Sequence, residues 1–205
     1  SLCAPRAAYI AQALSRLLAE LAGEGPLDVQ FRETNSITAI RAVADKEAEL
    51  GIIRYQDVYE EHFAELLAQN RLAAEPLRRF AMQLVMSREH PLAGQPSVGY
   101  GLLAPYPQIL HGDMQLPVVA APEGEEAGGR IYVYDRGSQF DVLRTVPGSF
   151  MWDSPLPGET LERNGLVQKP CLQAGVNLDV AIWRGNDGPG PYGERLLAAL
   201  REKEG

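Results

Sequence analysis

The chain has 205 residues, 45% of them hydrophobic and 22% charged, and 27 Asp and Glu against 19 Lys and Arg give a formal net charge of −8. This composition predicts a soluble, globular, acidic protein, long enough to bury roughly 70% of its unfolded surface without disulfides or metal. No stretch approaches the roughly 18 apolar residues of a membrane-spanning helix, and we expect no intact secretion signal. Basic residues cluster only in pairs such as Arg78-Arg79, so these residues alone are not expected to hold DNA.

The sequence gives no sign of a metal or cofactor. Cys3 and Cys171 are most simply interpreted as reduced thiols of a cytoplasmic protein, and a single disulfide stays open as the alternative. The cysteines and the three histidines lack paired metal-ligand spacing, so we predict no metal. The glycine-rich segment 185–193 lacks the Lys-Ser/Thr of a phosphate-binding loop and the spacing of a dinucleotide fingerprint, and we interpret it as a connecting turn.

Strand-like and helix-like segments alternate over the first 90 residues. A short apolar strand, Leu2-Cys3-Ala4, stops at Pro5, and apolar residues at helical spacing then predict a helix that ends at Gly23. The following elements are a half-buried strand with Leu27, Val29 and Phe31, a helix capped by one of Thr34, Asn35 and Ser36, a buried strand at Leu50-Gly51-Ile52-Ile53, a helix through Tyr59, Phe63, Leu66 and Leu67, and a longer strand from about Leu77 to Met86.

This order predicts a mostly parallel sheet with helices on both faces. In such sheets ligands bind beyond the carboxyl ends of the strands. Candidate ligand segments therefore directly follow predicted strands, at Pro5-Arg6-Ala7, Thr34-Asn35-Ser36 and Arg54-Tyr55-Gln56.

From Gly94 to about Pro170 the chain is richer in glycine and proline. Short strands are predicted at 108–110, 117–120 and 130–134, with an acidic, glycine-rich loop at 122–129. A further strand at 179–183 and a C-terminal helix at 192–203 follow. We expect two lobes, with residues 1–95 and 170–205 in the first and the inserted residues 96–169 in the second.

Four motifs resemble one protein family. They are the strand running into a helix at Leu2-Cys3-Ala4-Pro5-Arg6-Ala7, the segment Phe31-Arg32-Glu33-Thr34-Asn35-Ser36, the strand Glu49-Leu50-Gly51-Ile52-Ile53, and the run from Pro76-Leu77 through Leu84-Val85-Met86 to Glu89-His90-Pro91-Leu92-Ala93. The last is the most specific, because it is similar to the family's run from a Pro-Leu through an apolar strand to a His-Pro-Leu turn. With these motifs the chain resembles the effector-binding domain of LysR-type transcriptional regulators. The resemblance is weaker over 94–170, where Val146-Pro147-Gly148-Ser149-Phe150-Met151-Trp152 replaces the family's glycine-rich pattern.

The resemblance implies an α/β fold of two Rossmann-like lobes around a cleft, similar to type 2 periplasmic binding proteins. It implies a cytoplasmic homodimer or tetramer that binds a small inducer, with the first helix of one subunit against the helix after Pro96 of the next. DNA contact would belong to a winged helix-turn-helix that this sequence does not contain.

Helix N-termini carry about half a positive charge and free N–H donors, so the segments at Arg6 and Asn35 predict an anion site, with a carboxylate as the natural guest. In the family, effector contacts lie at the positions of Pro5, Arg6 and Ala7 and of Thr34, Asn35 and Ser36. Arg6 stands where relatives often have Ser or Thr, and it would add a charge-assisted contact. The alternative is that Thr34 and Ser36 only cap a helix.

Further candidate effector contacts are Arg54 and Tyr55 and, in the second lobe, His111, Arg136 and Ser138. For Arg136 the alternative is a solvated turn charge, and for His111 a structural or exposed loop histidine.

Two other function classes stay open. An enzyme on the same fold, acting on a small organic acid, would need a convergent acid, base or nucleophile, for which only Glu33 and His111 are candidates. A Cys3–His111 pair is conceivable, but Cys3 lies in a predicted buried strand, where an inert thiol is expected. We predict no catalytic residue. A solute-binding protein of the cell envelope shares the fold as well.

Overall fold

A computed structural model describes residues 1–112, 128–171, 173–185 and 187–201. The chain divides into two compact units, and unit 2 (Phe80–Val176) is inserted between the two segments of unit 1 (Ser1–Arg79 and Asn177–Gly205). These boundaries differ from the predicted lobe boundaries at 95/96 and 169/170. The reason is strand pairing, because the strand Gln83–Ser87 belongs to the sheet of unit 2.

Unit 1 contains one five-stranded sheet in the order β2-β1-β3-β10-β4. Its elements are β1 (Leu2–Ala4), α1 (Ala8–Leu21), β2 (Phe31–Glu33), α2 (Ser36–Ala44), β3 (Leu50–Gln56), α3 (Glu60–Gln69), β4 (Leu72–Ala81), β10 (Val176–Arg184) and α6 (Gly190–Arg201). Strand β1 runs parallel to β2 and β3, as predicted, but β10 is antiparallel to β3. The sheet is therefore mixed rather than mostly parallel, because β10 returns from unit 2.

Helices cover both faces of this sheet. On one face the apolar sides of α1 and α6 pack together, with Leu14 and Leu197 buried against Ile52. On the other face Val43 of α2 and Phe63 of α3 pack in one cluster. Neighbouring residues of a strand point to opposite faces, which explains why Leu2-Cys3-Ala4 and Leu50-Gly51-Ile52-Ile53 are continuous apolar runs.

Two predicted strands have different bounds in the structure. Leu27 and Val29 lie outside β2 and are 42% and 44% exposed, because the three-residue partner β1 pairs only with Phe31–Glu33. The strand predicted from 77 to 86 is two strands in different sheets, since β4 ends at Ala81 and the next strand begins at Gln83.

Unit 2 contains the second sheet, in the order β7-β6-β8-β5-β9. Its elements are β5 (Gln83–Ser87), β6 (Pro107–His111), β7 (Gly129–Val133), α4 (Arg136–Thr145), β8 (Phe150–Asp153), α5 (Gly158–Asn164) and β9 (Leu166–Pro170). Strand β6 is parallel to both of its neighbours, whereas β5 is antiparallel to β8 and β9. The predicted strand at 117–120 and the loop residues 122–127 lie outside the described residues.

Several predictions for unit 2 and the C-terminus need correction. Helix α5 was not predicted because it has no buried residue and hence no apolar period. The helix expected after Pro96 is a four-residue 3-10 segment, Tyr100–Leu103. The predicted turn 185–193 ends earlier than expected, because α6 begins at Gly190. Pro191 is tolerated in the first turn of this helix, because the N–H that proline lacks would have no partner within the helix there.

Across the described ranges, no helix combines the length and the apolar character needed to cross a membrane.

Candidate functional site

The first two predicted ligand segments lie together at the carboxyl edge of the unit 1 sheet. Parallel strands β1 and β2 end there side by side, and the N–H of Thr34 donates to the carbonyl of Ala4 at 2.9 Å. Helix α1 begins four residues after β1 ends, and α2 begins at Ser36. The parallel register thus brings Pro5, Arg6 and Ala7 next to Thr34, as the strand order predicted.

The N-terminus of α1 has no side-chain cap. Its N-cap residue, Ala7, has an extended backbone and offers no polar atom, and the first turn holds no acidic residue. Ala7 itself is buried. Neither a capping side chain nor an acidic side chain of α1 therefore pairs with the first N–H donors or offsets the positive end of the helix.

The three polar residues at α2 have separate roles. Asn35 is the N-cap, and its Oδ1 accepts from the N–H of Thr38 at 2.9 Å. The Ser36 hydroxyl accepts from the N–H of Arg54 at 2.9 Å and donates to the carbonyl of the same residue at 2.7 Å. Of the three predicted cap candidates, Asn35 is therefore the one that caps α2. The alternative that Thr34 and Ser36 only cap this helix is wrong, because Ser36 ties α2 to strand β3.

A buried ionic cluster lies in the same unit. The guanidinium of Arg54 donates to both oxygens of Asp179, each at 2.7 Å, and the Tyr9 hydroxyl donates to Asp179 Oδ2. Asp179 is fully buried, and Arg78 lies over the Tyr9 ring with its Cζ 4.8 Å from the centroid. Burial, followed by the Asp179 charge, raises the pKa of Tyr9. Tyr9 therefore stays a protonated donor.

This cluster gives a structural role to Arg54 in the third predicted ligand segment, Arg54-Tyr55-Gln56. The charge of Arg54 is balanced by Asp179, so its contribution is to connect β3, β10 and the first turn of α1. Tyr55 is buried and stacks on Phe63 of α3, with ring centroids 4.3 Å apart. The sequence analysis did not identify Tyr9 or Asp179 as members of a buried cluster. Asp179 could have been identified, because it is a charged residue in the otherwise apolar strand 179–183.

A cavity of about 350 Å³ lies at the amino end of the same strands, away from the predicted edge. It is lined by Ser1, Leu2, Cys3, Val29, Gln30, Phe31, Arg32, Glu47 and Ala48. Cys3 is a free, buried thiol, and its burial raises its pKa. Because a thiolate is the nucleophilic form, this supports the prediction of an inert cysteine. Cys171 is also free and buried.

In unit 2, the predicted residues lie at the carboxyl edge of strands β6 and β8. Arg136 is the first residue of α4 and donates through Nη2 to Asp153 Oδ2 at 2.8 Å, with its side chain 14% exposed. It is therefore not a solvated turn charge. His111, at the end of β6, lies with Nδ1 3.0 Å from Nε2 of Gln139. Ser138 belongs to the α4 cap, because Asp135 accepts from its N–H and its hydroxyl.

Within the described ranges, no three His, Cys, Asp or Glu side chains form a group that could hold a metal ion.

Comparison with known proteins identifies the family. The profile described as "LysR substrate binding domain" matches residues 2–133, more than half of the chain. No curated protein matches the sequence.

Solved structures with the same fold are regulatory domains or whole regulators at low identity. The oxidised form of OxyR has a TM-score of 0.63 at 16% identity and covers 98% of this chain and 92% of its own. The regulatory domain of MetR from N. meningitidis has a TM-score of 0.66 at 14% identity, covering 98% and 91%. HinK from Pseudomonas aeruginosa, a LysR family transcriptional regulator, has a TM-score of 0.64 at 14% identity, covering 98% and 67%.

These structures share the type 2 periplasmic-binding-protein-like α/β fold, with its two mixed five-stranded sheets. Two predictions, the fold class and the family, are thereby confirmed. The chain belongs to the LysR substrate-binding domain family and is the effector-binding domain of a LysR-family transcriptional regulator.

Proposed function

We propose that this domain senses a small anionic effector, such as a carboxylate, at the carboxyl edge of the unit 1 sheet. The observation that carries the proposal is the uncapped N-terminus of α1, which directly follows β1. An anion placed there would meet the first-turn N–H groups and the positive end of a 14-residue helix.

The neighbouring residues support this assignment. Arg6 comes just before the helix and would add a charged donor, and Thr34 is fixed beside it through the Ala4 carbonyl. Ala7 and Ala8 carry no polar side-chain atom and the first turn of α1 holds no acidic residue, so no acidic side chain of the helix itself competes for the backbone donors. Helix α2 already has its cap in Asn35, so α1 is the preferred anchor for the anion.

We infer that the domain binds its effector without converting it. A sensor needs only a difference in affinity between two states of the regulator. The enzyme alternative lacks a nucleophile in Cys3, because this thiol is buried and its burial raises its pKa. We further infer that the regulator is a cytoplasmic homodimer or tetramer and that a separate DNA-binding domain contacts DNA, in keeping with the charge of −8.

The direct test is thermal unfolding of the domain with a panel of small mono- and dicarboxylates and inorganic oxyanions. A ligand at 100 times its dissociation constant should stabilise the fold by about 2.7 kcal/mol. We expect a dose-dependent rise in Tm, with the compound recovered unchanged. Conversion of the compound would favour the enzyme, and no rise across the panel would contradict the anion site.

A matched pair of variants then locates the site. Arg6→Ala is expected to weaken binding of the active compound about tenfold or more, because it removes a charge-assisted contact. Arg41→Ala, at an exposed position in the last turn of α2, serves as the charge control and should bind normally. Equal affinity of both variants would remove Arg6 from the site.

A further inference from the structure

Two buried polar atoms of helix α4 have no hydrogen-bond partner among the described residues. They are Nη1 of Arg136, a donor, and Oε1 of Gln139, an acceptor. The Gln139 side chain is almost completely buried, at 1% exposed. Buried polar atoms in proteins are nearly always paired, so each unpaired one requires an explanation.

The two side chains leave α4 on the same face, because residues three apart on a helix are neighbours. Both are fixed by partners at one edge of the unit 2 sheet. Arg136 binds Asp153 at the end of β8, and Gln139 binds His111 at the end of β6, the parallel neighbour of β8. The free donor and the free acceptor therefore belong to one small region at the carboxyl edge of this sheet.

Charge is already balanced in this region. The guanidinium of Arg136 is paired with Asp153, whose other oxygen accepts from the N–H and the hydroxyl of Ser154. The Gln139 amide nitrogen can only donate, so it donates to Nδ1 of His111. Within the described part of the chain, the two unpaired atoms therefore require one acceptor and one donor, without net charge.

We propose that Arg136 and Gln139 form a subsite for a neutral group that both accepts and donates a hydrogen bond, with a primary carboxamide as the simplest example. Its carbonyl oxygen accepts from Arg136 Nη1, and its NH2 donates to Gln139 Oε1. A carboxylate is disfavoured, because it would turn a second acceptor towards Gln139 Oε1 and add a charge near Asp153. The inference rests on the proposed function only in that this domain binds a small molecule, and it replaces an anion contact at Arg136 with a neutral one.

The test compares acetamide with acetate, which differ only in the group concerned. Titration of the isotopically labelled chain, followed by NMR of the Gln139 side-chain amide, gives an apparent Kd for each probe. We expect acetamide to bind at least about tenfold more tightly, because one hydrogen bond is lost with acetate. Gln139→Met should abolish this preference, and Arg144→Ala, an exposed change in the last turn of α4, should preserve it.

Three results would overturn the proposal: equal or tighter binding of acetate, no response of Gln139 to either probe, or an unchanged preference in Gln139→Met. If Gln139→Met does not fold, Arg136→Lys takes its place, since it keeps a charge for Asp153 and removes Nη1. The backbone amides of Ala8–Ile10 report on the unit 1 site in the same spectra. If Ala8–Ile10 respond to a probe and Gln139 does not, only the unit 2 subsite is overturned. If Gln139 responds and Ala8–Ile10 do not, only the proposed anion site is overturned.

Discussion

Arg54 and Asp179 are 125 positions apart in the chain and form a two-pronged ion pair, with both nitrogen–oxygen distances at 2.7 Å. Their side chains are 12% and 0% exposed, so the charges are removed from water together. Such a pair is costly to break from one side, because the remaining charge stays buried without compensation.

Asp179→Asn is accordingly expected to destabilise the fold by about 3–5 kcal/mol, measured by urea unfolding at neutral pH. The control is Asp187→Asn, which breaks an ion pair with Arg184 at an aspartate 55% exposed and should cost about 1 kcal/mol or less. The triple variant Tyr9→Phe, Arg54→Met and Asp179→Leu should recover much of the loss, because it removes all three buried polar groups together. Similar costs for Asp179→Asn and Asp187→Asn would contradict the buried ionic cluster.

The Tyr9 hydroxyl gives a prediction about alkaline pH. The pKa of Tyr9 is raised above its ordinary value of 10.0 in the folded state, so its contribution to stability is complete below pH 10 and declines as the pH rises above that value. Urea unfolding at pH 9 and pH 11 should therefore show a larger loss in the wild type than in Tyr9→Phe. Tyr192→Phe, at an exposed tyrosine, should behave as the wild type.

His90 gives the corresponding prediction at acid pH. It is buried, its Nδ1 accepts from the N–H of Leu92, and its Nε2 lies 2.9 Å from the Gly148 carbonyl. Burial lowers the pKa of His90 below 6.5, so its contribution is complete above pH 6.5 and is lost as the pH falls through the lower folded pKa. His90→Gln should flatten the stability profile between pH 7 and pH 5, whereas the exposed His62→Gln should not. An identical profile for both variants would exclude His90 as the titrating group.

Gly51 tests the packing of the unit 1 sheet. A Cβ at this position would lie 2.7 Å from the Ile182 side chain and 3.0 Å from that of Val43. Gly51→Ala is therefore expected to cost about 1–3 kcal/mol in thermal unfolding, as overpacking does. Gly158→Ala, where nothing lies within 4 Å, should be neutral or slightly stabilising. A neutral Gly51→Ala would mean that the sheet and α2 can move apart.

Most helices and strands of unit 1 could be predicted because each buries at least one face. The spacing of Leu14, Leu17 and Leu21 predicts α1, and the run from Leu50 to Ile53 predicts β3. The change of sheet near Met82 could not be predicted, because apolar residues continue through it and the separation depends on which strands pair.

The candidate site was predictable only in part, for a similar reason. Parallel strands that end together place Ala7 and Thr34 at one edge, and this follows from strand order alone. The partners of Arg54 come from distant segments, so local spacing could not reveal them. The burial of Gln139 could have been predicted, because it lies four residues before the buried Leu143, where an amphipathic helix usually has an apolar residue.

The neighbouring strands β4 and β10 bear on how unit 1 could be isolated. The N–H of Gly185, just after β10, donates to the carbonyl of Arg71, just before β4, so the end of one strand lies beside the start of the other. The opposite ends carry Arg79 and Asn177, where the chain leaves unit 1 and returns to it. A short hairpin turn that joins Arg79 directly to Asn177 would therefore convert unit 1 into one continuous segment with all five strands of its sheet, suited to independent expression.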